Sequence, residues 1–386
     1  MAYNTTIFGQ MIHFISRLDF KSIVNEYHGD HRIRKFSCWD QFIFLLFGQF
    51  SKRESLRETV LSINSVQSKL YHLGCKSVKR STFSDANNKR PYQIYQELFY
   101  RLLNQTQKIA PKHKIKLNRK LYILDATTID LCLTLFPWAR FRKTKSAIRL
   151  HTLIQADGRL PVFLNITDAK VHESQAAKSI PVPKGSYLAI DRGYHDFQQY
   201  NVYINNNIRF VTRMKTNAKY NVLETYQTNS DSSVTSDEII EFAGYYTHKK
   251  CPHPLRKIHY YDNERNKVIT FLTNDLENTA QTITDIYKAR WDIELFFKTV
   301  KQNLKIKRFF GTTRNAVMTQ IWIAMIAYLM ISFFKFLHKT KLSIQQLFRI
   351  IQLNMFERKS LKDLIVNKII KPPGSKYELQ FCLFKF

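Results

Sequence analysis

The stretch "KLYILDATTIDLCL", residues 120–133, places an acidic residue where a strand would emerge from a protein core. Its β-branched and aromatic residues predict a strand, and Asp125 directly follows the apolar run "LYIL". The stretch "SYLAID" repeats this arrangement, with Asp191 after "YLAI". Aspartate is disfavoured in strands unless a favourable interaction compensates, so two such cases indicate a site. Taken singly, each aspartate could instead be a turn or capping residue.

Around these two stretches, short β-rich runs alternate with turn signals. The runs "AIRLHTLIQ", "LPVFLNITD" and "IRFVTRM" predict strands, and residues 194–206 predict a helix. This order predicts an α/β domain with a mixed sheet. Residues 215–275 are again strand-like, in runs such as "IIEFAGYYTH", and we predict a β-rich insertion there.

The first 110 residues show helical periodicity, which predicts an all-α unit. "WDQFIFLLFGQF" predicts an apolar helix, and "SKRESLRETV" predicts the start of another helix behind a serine cap. We expect "KRSTFSDANNKRP", residues 79–91, to be a loop that presents charge. The basic linker "KIAPKHKIKLNRK", residues 108–120, should track a phosphate backbone or lie open to water.

Two stretches near the end of the chain differ in character. "IWIAMIAYLMISFF", residues 321–334, has no charge, but it is shorter than the roughly 20 residues that span a bilayer. It therefore predicts a buried core helix. The final stretch "KPPGSKYELQFCLFKF", residues 371–386, predicts irregular structure.

The composition is strongly basic, with 60 Lys and Arg against 30 Asp and Glu, a formal net charge of +30. Because 44% of the residues are hydrophobic, a core should form, and the excess charge should lie on folded surfaces. Nucleic acid is then the expected partner, with a membrane surface as the competing polyanion.

The five cysteines are scattered without a C-x-x-C pair, which argues against a disulfide framework and indicates a reducing, cytosolic environment. Cys251 and His253 lack the second pair that a zinc site needs. The N-terminus also lacks the basic start and apolar run of a secretion signal. We therefore expect a cytoplasmic protein.

The stretch "YKARWDIELFFKTVK", residues 287–301, predicts a helix with an unusual charged stripe. Tyr287, Arg290, Glu294 and Lys301 fall within an arc of roughly 60°, and large apolar residues lie on both sides of it. A half-buried carboxylate among cations usually indicates a site. The alternative is a surface helix stabilised by spaced Glu and Lys pairs.

Together, Asp125, Asp191 and Glu294 predict a metal site. Three semi-buried carboxylates would repel one another unless a cation neutralised them. Oxygen ligands without His or Cys select Mg²⁺ or Mn²⁺, which indicates two-metal phosphoryl transfer. On this interpretation Arg290 and Lys301 hold DNA phosphates. Tyr287 would add a hydroxyl contact or a stacking surface.

Other side chains are candidate DNA contacts that also have simpler explanations. Lys145 and Arg149 could line the DNA path or belong to a solvated basic segment, and Lys298 lies on the edge of the stripe. Trp291 could stack on an extruded base or form part of the core wall. His172 and Glu173 could support the site, although such a pair more often consists of satisfied loop residues.

Three stretches, "LDATTIDL", "AIDRGYHDF" and "YKARWDIELFFKTVK", resemble the signatures of DDE transposases of bacterial insertion sequences, specifically the IS-four-like group. The third matches the motif Y-x2-R-x3-E-x6-K at each typed position. The spacing agrees as well, since 191 − 125 = 66 and 294 − 191 = 103, and the longer gap leaves room for an insertion. "CWDQFIFLLFGQFSKRESLRE" and "KRSTFSDANNKRP" resemble the helical N-terminal module of these proteins.

The resemblance implies an α/β, ribonuclease H-like catalytic domain and an all-α N-terminal domain that binds DNA. Asp125, Asp191 and Glu294 would be both the catalytic residues and the ligands of two Mg²⁺ ions, for which Mn²⁺ could substitute. The implied bounds are residues 1–110 for the N-terminal domain, 119–214 and 276–345 for the catalytic domain, 215–275 for the β-rich insertion and 346–386 for a C-terminal extension.

The implied activity is cut-and-paste transposition, by DNA cleavage and strand transfer at terminal inverted repeats. Because two ends must be paired, we expect a homodimer on double-stranded DNA in the bacterial cytoplasm, associated with the nucleoid and with no membrane partner. The sequence leaves open whether a hairpin intermediate is used. One rival is an inactive DNA-binding protein descended from a transposase, which the three acidic residues disfavour. Another is a nuclease indifferent to end sequence.

Overall fold

A computed structural model describes residues 5–70, 73–227, 233–304 and 309–366. Within them the chain forms fifteen α-helices and one mixed sheet of ten strands. The final stretch predicted to be irregular, residues 371–386, lies outside the described residues. Seven helices precede the first strand: α1 (Ile7–Ile12), α2 (Arg17–Glu26), α3 (Cys38–Phe50), α4 (Leu56–Ser65), α5 (Gln67–Leu70), α6 (Arg80–Lys89) and α7 (Gln93–Gln107).

Side-chain caps start both α3 and α4, and the cap of α4 lies in the stretch "SKRESLRETV", for which the sequence predicts a serine cap. At α3, Ser37 accepts a hydrogen bond from the Asp40 backbone N–H, and the Asp40 carboxylate accepts one from the Ser37 N–H. At α4, the Ser55 hydroxyl accepts from the Glu58 N–H. These bonds satisfy backbone donors that the first helical turn leaves unpaired.

The prediction of a loop at residues 79–91 is wrong, because α6 occupies most of this stretch. Phe83, Ala86 and Asn87 are buried at helical spacing. The ring centre of Phe83 lies 5.4 Å from that of Phe44 and 5.9 Å from that of Phe36. One apolar face is thus enough to fold a segment whose charges suggest a loop.

The strands form a single sheet in the order β2–β3–β1–β5–β6–β10–β9–β8–β7, with β4 beside β3. β1 pairs antiparallel with β3 and in parallel with β5, which in turn pairs in parallel with β6. Their bounds are β1 (Leu121–Leu131), β2 (Arg140–Arg142), β3 (Lys145–Gln155), β4 (Leu160–Asp168), β5 (Tyr187–Ile190), β6 (Arg209–Arg213), β7 (Tyr220–Thr225), β8 (Val234–Phe242), β9 (Leu255–Asp262) and β10 (Lys267–Thr273).

The strand-like residues 215–275 extend this sheet, because β10 pairs antiparallel with β6. Part of the prediction there is wrong, since "YYTH" begins a helix and not a strand. The helices between strands are short: α8 (Glu173–Ala177), α9 (Phe197–Asn205) and α10 (Tyr245–Lys250).

Helices follow the last strand: α11 (Ala280–Lys288), α12 (Trp291–Asn303), α13 (Arg314–Leu337), α14 (Ile344–Asn354) and α15 (Leu361–Val366). Among the described residues, α13 is the one helix long and apolar enough to cross a membrane, and 94% of its most apolar 18-residue window is buried inside the protein. It packs against α3 and α7, which confirms the predicted core helix.

The sheet lies between two layers of helices. Tyr187 and Ala189 of β5 face the larger core, which contains α11–α13 and the N-terminal helices, whereas Leu188 and Ile190 face the smaller core under α9. This alternation is expected of a strand buried on both faces. The N-terminal helices therefore share a continuous core with the helices that cover the sheet.

The charged stripe does not lie on one uninterrupted helix, because α11 ends at Lys288 and α12 begins at Trp291. The Arg290 N–H donates to the Tyr287 carbonyl at 3.0 Å, a bond over three residues, which marks a tightened turn. On the far side of this turn, the Arg159 guanidinium binds the Asp292 carboxylate at 2.8 Å. The helical periodicity of the sequence does not show tertiary contacts of this kind.

Candidate active site

Strand register brings the two predicted aspartates side by side. Leu124 of β1 lies opposite Ile190 of β5, so the same register places Asp125 beside Asp191, one residue further along. Adjacent strands are about 4.8 Å apart. The pairing of β5 with β6 likewise places Arg213 beside Asp191. Three charged residues thus form a row across three adjacent strands.

All three side chains of this row point to the same face of the sheet. Ile123 and Ala189, each two residues before an aspartate, belong to the larger core, and side chains two residues apart share a face. An Arg213 guanidinium nitrogen lies 3.0 Å from Asp191 Oδ1. The row is therefore covered by α11 and α12, the helices that carry the charged stripe.

Asp125 is an acid that is difficult to ionise. Only 19% of its side chain is exposed; its Oδ1 accepts a hydrogen bond from the Ala126 N–H at 2.7 Å, and its Oδ2 accepts one from Arg290 at 3.1 Å. Burial raises the pKa of Asp125 to about 6; the hydrogen bond from Ala126 and the charge of Arg290 oppose this increase, and the charges of Asp191 and Glu173 add to it. An additional cation would stabilise its ionised form.

Asp191 is adjacent to Asp125 but is ionised more easily. It caps the 3₁₀ turn at residues 192–194, where its Oδ2 accepts a hydrogen bond from the Gly193 N–H at 3.3 Å. Burial alone would raise the pKa of Asp191, but hydrogen bonds from Gly193 and Arg213 and the charge of Arg290 lower it below its ordinary value. The two neighbouring acids are thus shifted in opposite directions, which is common at functional sites.

Arg290 connects the row to Glu294. One guanidinium nitrogen lies 3.1 Å from Asp125 Oδ2 and another lies 2.7 Å from Glu294 Oε1. The Arg290 side chain is only 13% exposed, and its buried Nε has no hydrogen-bond partner among the described residues. Glu294 is therefore joined to Asp125 through a guanidinium.

Tyr287 forms a wall of the site. It is 8% exposed, and its ring centre lies 4.9 Å from that of Phe271. The guanidinium carbons of Arg290 and Arg213 lie 5.7 Å and 6.0 Å from the Tyr287 ring centre, within range of cation–π attraction. Burial raises the pKa of the Tyr287 hydroxyl, so the phenol stays protonated at neutral pH.

The remaining stripe residues lie further along α12. Lys298 is exposed one turn beyond Glu294, and Lys301 is partly buried two turns beyond it. Trp291, at the start of α12, is 50% exposed, so it is not a core residue.

Lys145 and Arg149 do not belong to the acidic row. Thr152 lies opposite Asp125, and Lys145 is seven residues away on the same strand, about 23 Å. Arg149 is three residues from Thr152, so its side chain points to the other face of the sheet. There it lies 3.7 Å from a Glu173 carboxylate oxygen.

A cavity of about 430 Å³ opens beside Arg290. Its walls are largely aromatic, and its rim carries the cations Arg265, Lys288 and Arg290 and the acids Asp262 and Glu264. The Arg265 guanidinium carbon lies 5.7 Å from the ring centre of Trp291. Lining residues include Tyr260, Phe271, Tyr287, Lys288, Arg290 and Trp291.

Sequence reasoning missed Arg213 and Thr152. Arg213 lies in the predicted strand "IRFVTRM", 22 residues after Asp191, but its place beside the aspartate depends on the register between two parallel strands. Thr152 lies in the middle of an apolar run. Neither residue belongs to a motif, and only the pairing of the strands shows that each lies beside an aspartate.

Among the described residues, no three His, Cys, Asp or Glu side chains lie close enough together to hold a metal ion, since Arg290 stands between Asp125 and Glu294. The residues nevertheless fit a divalent cation. Three carboxylates with two guanidiniums leave one negative charge (−3 + 2 = −1). The buried Thr152 Oγ1 opposite Asp125 has no partner in the described part of the chain. Such oxygen donors suit hard cations.

Comparison with known proteins places this site within one family model. A model described as "Transposase DDE domain" matches residues 116–330, and "Domain of unknown function (DUF4372)" matches residues 3–76. A Sinorhizobium fredii protein named as a transposase (y4zB) is 30% identical over 281 residues, 72% of this chain and 78% of that protein.

Two further relatives carry names of the same kind. A Geobacillus stearothermophilus protein named as the transposase of insertion sequence element IS5377 is 27% identical over 65% of this chain and 66% of its own length. A Synechocystis protein named for element IS4SA is 26% identical over 72% of this chain and 77% of its own length. The acidic row and Glu294 lie inside the matched range 116–330.

Proposed function

The chain belongs to the DDE transposase family of insertion sequences, and from that premise we propose that Asp125, Asp191 and Glu294 cleave and join DNA at the ends of the element with two divalent metal ions. The observation that carries this proposal is the strand register that places Asp125 beside Asp191, under the helix that bears Glu294. Mg²⁺ is the expected ion, with Mn²⁺ as a substitute.

The three carboxylates would be the ligands of the ions. When bound, the ions would make water or a 3′-hydroxyl a better nucleophile and stabilise the leaving oxygen. Arg213 holds the Asp191 carboxylate at 3.0 Å and so fixes its orientation. Tyr287 excludes water from one side of the site, because its buried ring fills the space between Arg213 and Phe271.

DNA would approach along α12 and the cavity beside it. Lys298 and Lys301 would contact phosphates, and the half-exposed ring of Trp291 offers a surface for an unstacked base. Arg290 would contact a phosphate when it is not bound to Asp125 and Glu294. Lys145 and Arg149 would contact DNA away from the reacting atoms.

The strand order supports a ribonuclease H-like catalytic domain. In β4–β3–β1–β5–β6, β3 is antiparallel to both of its neighbours, β4 and β1, and β5 and β6 run parallel to β1. We assign this domain to residues 119–214 and 276–345, with 215–275 as an insertion and 346–386 as a C-terminal extension. Residues 1–110 would recognise the terminal repeats, and a homodimer would pair two ends in the bacterial cytoplasm.

A cleavage assay tests the proposal. Labelled duplexes that carry the DNA flanking the reading frame are incubated with the full chain and Mg²⁺. Wild type should nick at the element end, and Asp125→Ala should bind without nicking. Asp130→Ala, which removes an exposed acid of the same strand, should cleave normally. Binding without cleavage by wild type would support the inactive rival, and cleavage of unrelated DNA would support a general nuclease.

A further inference from the structure

Arg290 occupies an unusual place for a residue that is expected to contact DNA. Its guanidinium is buried and bonded to two of the three acids that would hold metal, Asp125 and Glu294. We propose that Arg290 is an internal counter-ion that a divalent ion and a DNA phosphate must displace together, so that metal binding and DNA binding reinforce each other through this side chain. This inference rests on the proposed function of the same site.

The first step of the argument is competition for oxygen atoms. Both carboxylate oxygens of Asp125 are already engaged, Oδ1 by the Ala126 N–H and Oδ2 by Arg290. Glu294 gives its Oε1 to Arg290 at 2.7 Å. An ion that binds Asp125 and Glu294 together must take over contacts that Arg290 now makes.

The second step is repulsion between like charges. A divalent ion in contact with these carboxylates would stand close to the guanidinium, and the Arg290 side chain is only 13% exposed, so water would screen their repulsion weakly. Arg290 would therefore leave at least one acid, and its buried positive charge would need a new acceptor. A phosphate is a suitable one, because a guanidinium can bind it with two parallel hydrogen bonds.

The third step is access. The buried Arg290 Nε has no hydrogen-bond partner among the described residues, so this donor would gain a bond if the side chain moved to an anion. Arg290 also lines the cavity of about 430 Å³ beside Trp291 and Lys288, which gives the guanidinium a direction in which to move. The lining carries three cations, Arg265, Lys288 and Arg290, against two acids, Asp262 and Glu264, so the cavity keeps a net positive charge that favours an anion.

Metal binding and DNA binding are thermodynamically linked through Arg290. If a DNA phosphate removes the competing guanidinium, DNA raises metal affinity, and metal raises DNA affinity by the same factor. Couplings of this kind typically amount to about 5- to 150-fold. Free protein would bind metal weakly, which would limit DNA cutting to the assembled complex.

The test measures Mn²⁺ affinity of the full chain by electron paramagnetic resonance, without DNA and with a duplex of the flanking end. Without DNA, Arg290→Ala should bind Mn²⁺ at least about fivefold more tightly than wild type. Arg290→Lys keeps the charge but cannot bridge both acids, so its Mn²⁺ affinity should lie between those of wild type and Arg290→Ala. Arg101→Ala removes the same charge from an exposed pair with Glu97 and should match wild type.

Thermal unfolding provides a second readout. Without metal, Arg290→Ala leaves two carboxylates without their counter-ion and should melt below wild type, and Mn²⁺ should raise its melting temperature more than that of wild type. Arg290→Gln replaces the alanine variant if that variant does not fold. Equal or weaker Mn²⁺ binding by the neutral variants would overturn the coupling and leave the proposed function standing. Absence of Mn²⁺ binding by wild type, with and without DNA, would overturn both.

Discussion

Asp125→Asn should remove a pH-dependent loss of stability that is specific to the metal-free protein. Because burial raises the folded-state pKa of Asp125 from its ordinary 3.8 to about 6, the folded protein favours the protonated acid. The Asp125 carboxyl therefore contributes its full stabilisation below the pKa of 3.8 that it has in the unfolded chain, and this stabilisation is lost as the pH rises through about 6. From these two pKa values, the free energy of unfolding of wild type should fall by about 1.4 kcal/mol between about pH 5 and about pH 8. The variant should not show this fall.

The assay is urea unfolding of both proteins at several pH values in metal-free buffer. The two proteins are compared by how their free energy of unfolding changes with pH. The constant difference between them is not used, because the variant also loses the charged partner of Arg290. Asp130→Asn, on the same strand but exposed, should follow wild type. Mg²⁺ in large excess should raise the stability of wild type at high pH more than that of Asp125→Asn. Parallel pH profiles for wild type and Asp125→Asn would refute the reasoning.

Three further results are expected. Asp275→Ala should lower the free energy of unfolding by about 3–5 kcal/mol in urea, because this fully buried carboxylate binds Arg209 at 3.1 Å; a change near zero would contradict this. Lys298→Ala should weaken DNA binding equally for all sequences and reduce the salt dependence by about one charge, and an unchanged salt slope would exclude a phosphate contact. Trp291→Ala should weaken binding to a duplex with an unpaired end base by about 1–3 kcal/mol in fluorescence titration, whereas Trp291→Phe should retain it; equal losses would argue against stacking.

The acids could be predicted because each stands at the end of an apolar run, but their arrangement depends on pairing between strands. β1 continues for six residues beyond Asp125, to Leu131, so this acid lies inside a strand and not at its end. It is reached there because β5 ends at Ile190 and leaves β1 without its parallel neighbour. A single sequence shows the change from apolar to acidic but not the length of the partner strand.

The basic residues were harder to assign, because a positive charge has several possible acceptors. Arg290 fits a phosphate contact by residue type and helical position, yet in this structure its guanidinium binds Asp125 and Glu294. Arg213 was missed because it becomes part of the site only through its strand register. The loop expected at residues 79–91 failed for a similar reason, since Phe83 packs against residues distant in the chain.

The most direct test of the site is an anomalous difference map from crystals of the protein with its DNA end and Mn²⁺. We expect two peaks about 3.5–4 Å apart, bound by Asp125, Asp191 and Glu294, with Arg290 turned to a phosphate. Peaks bound by other residues, with Glu294 still bonded to Arg290, would contradict the account.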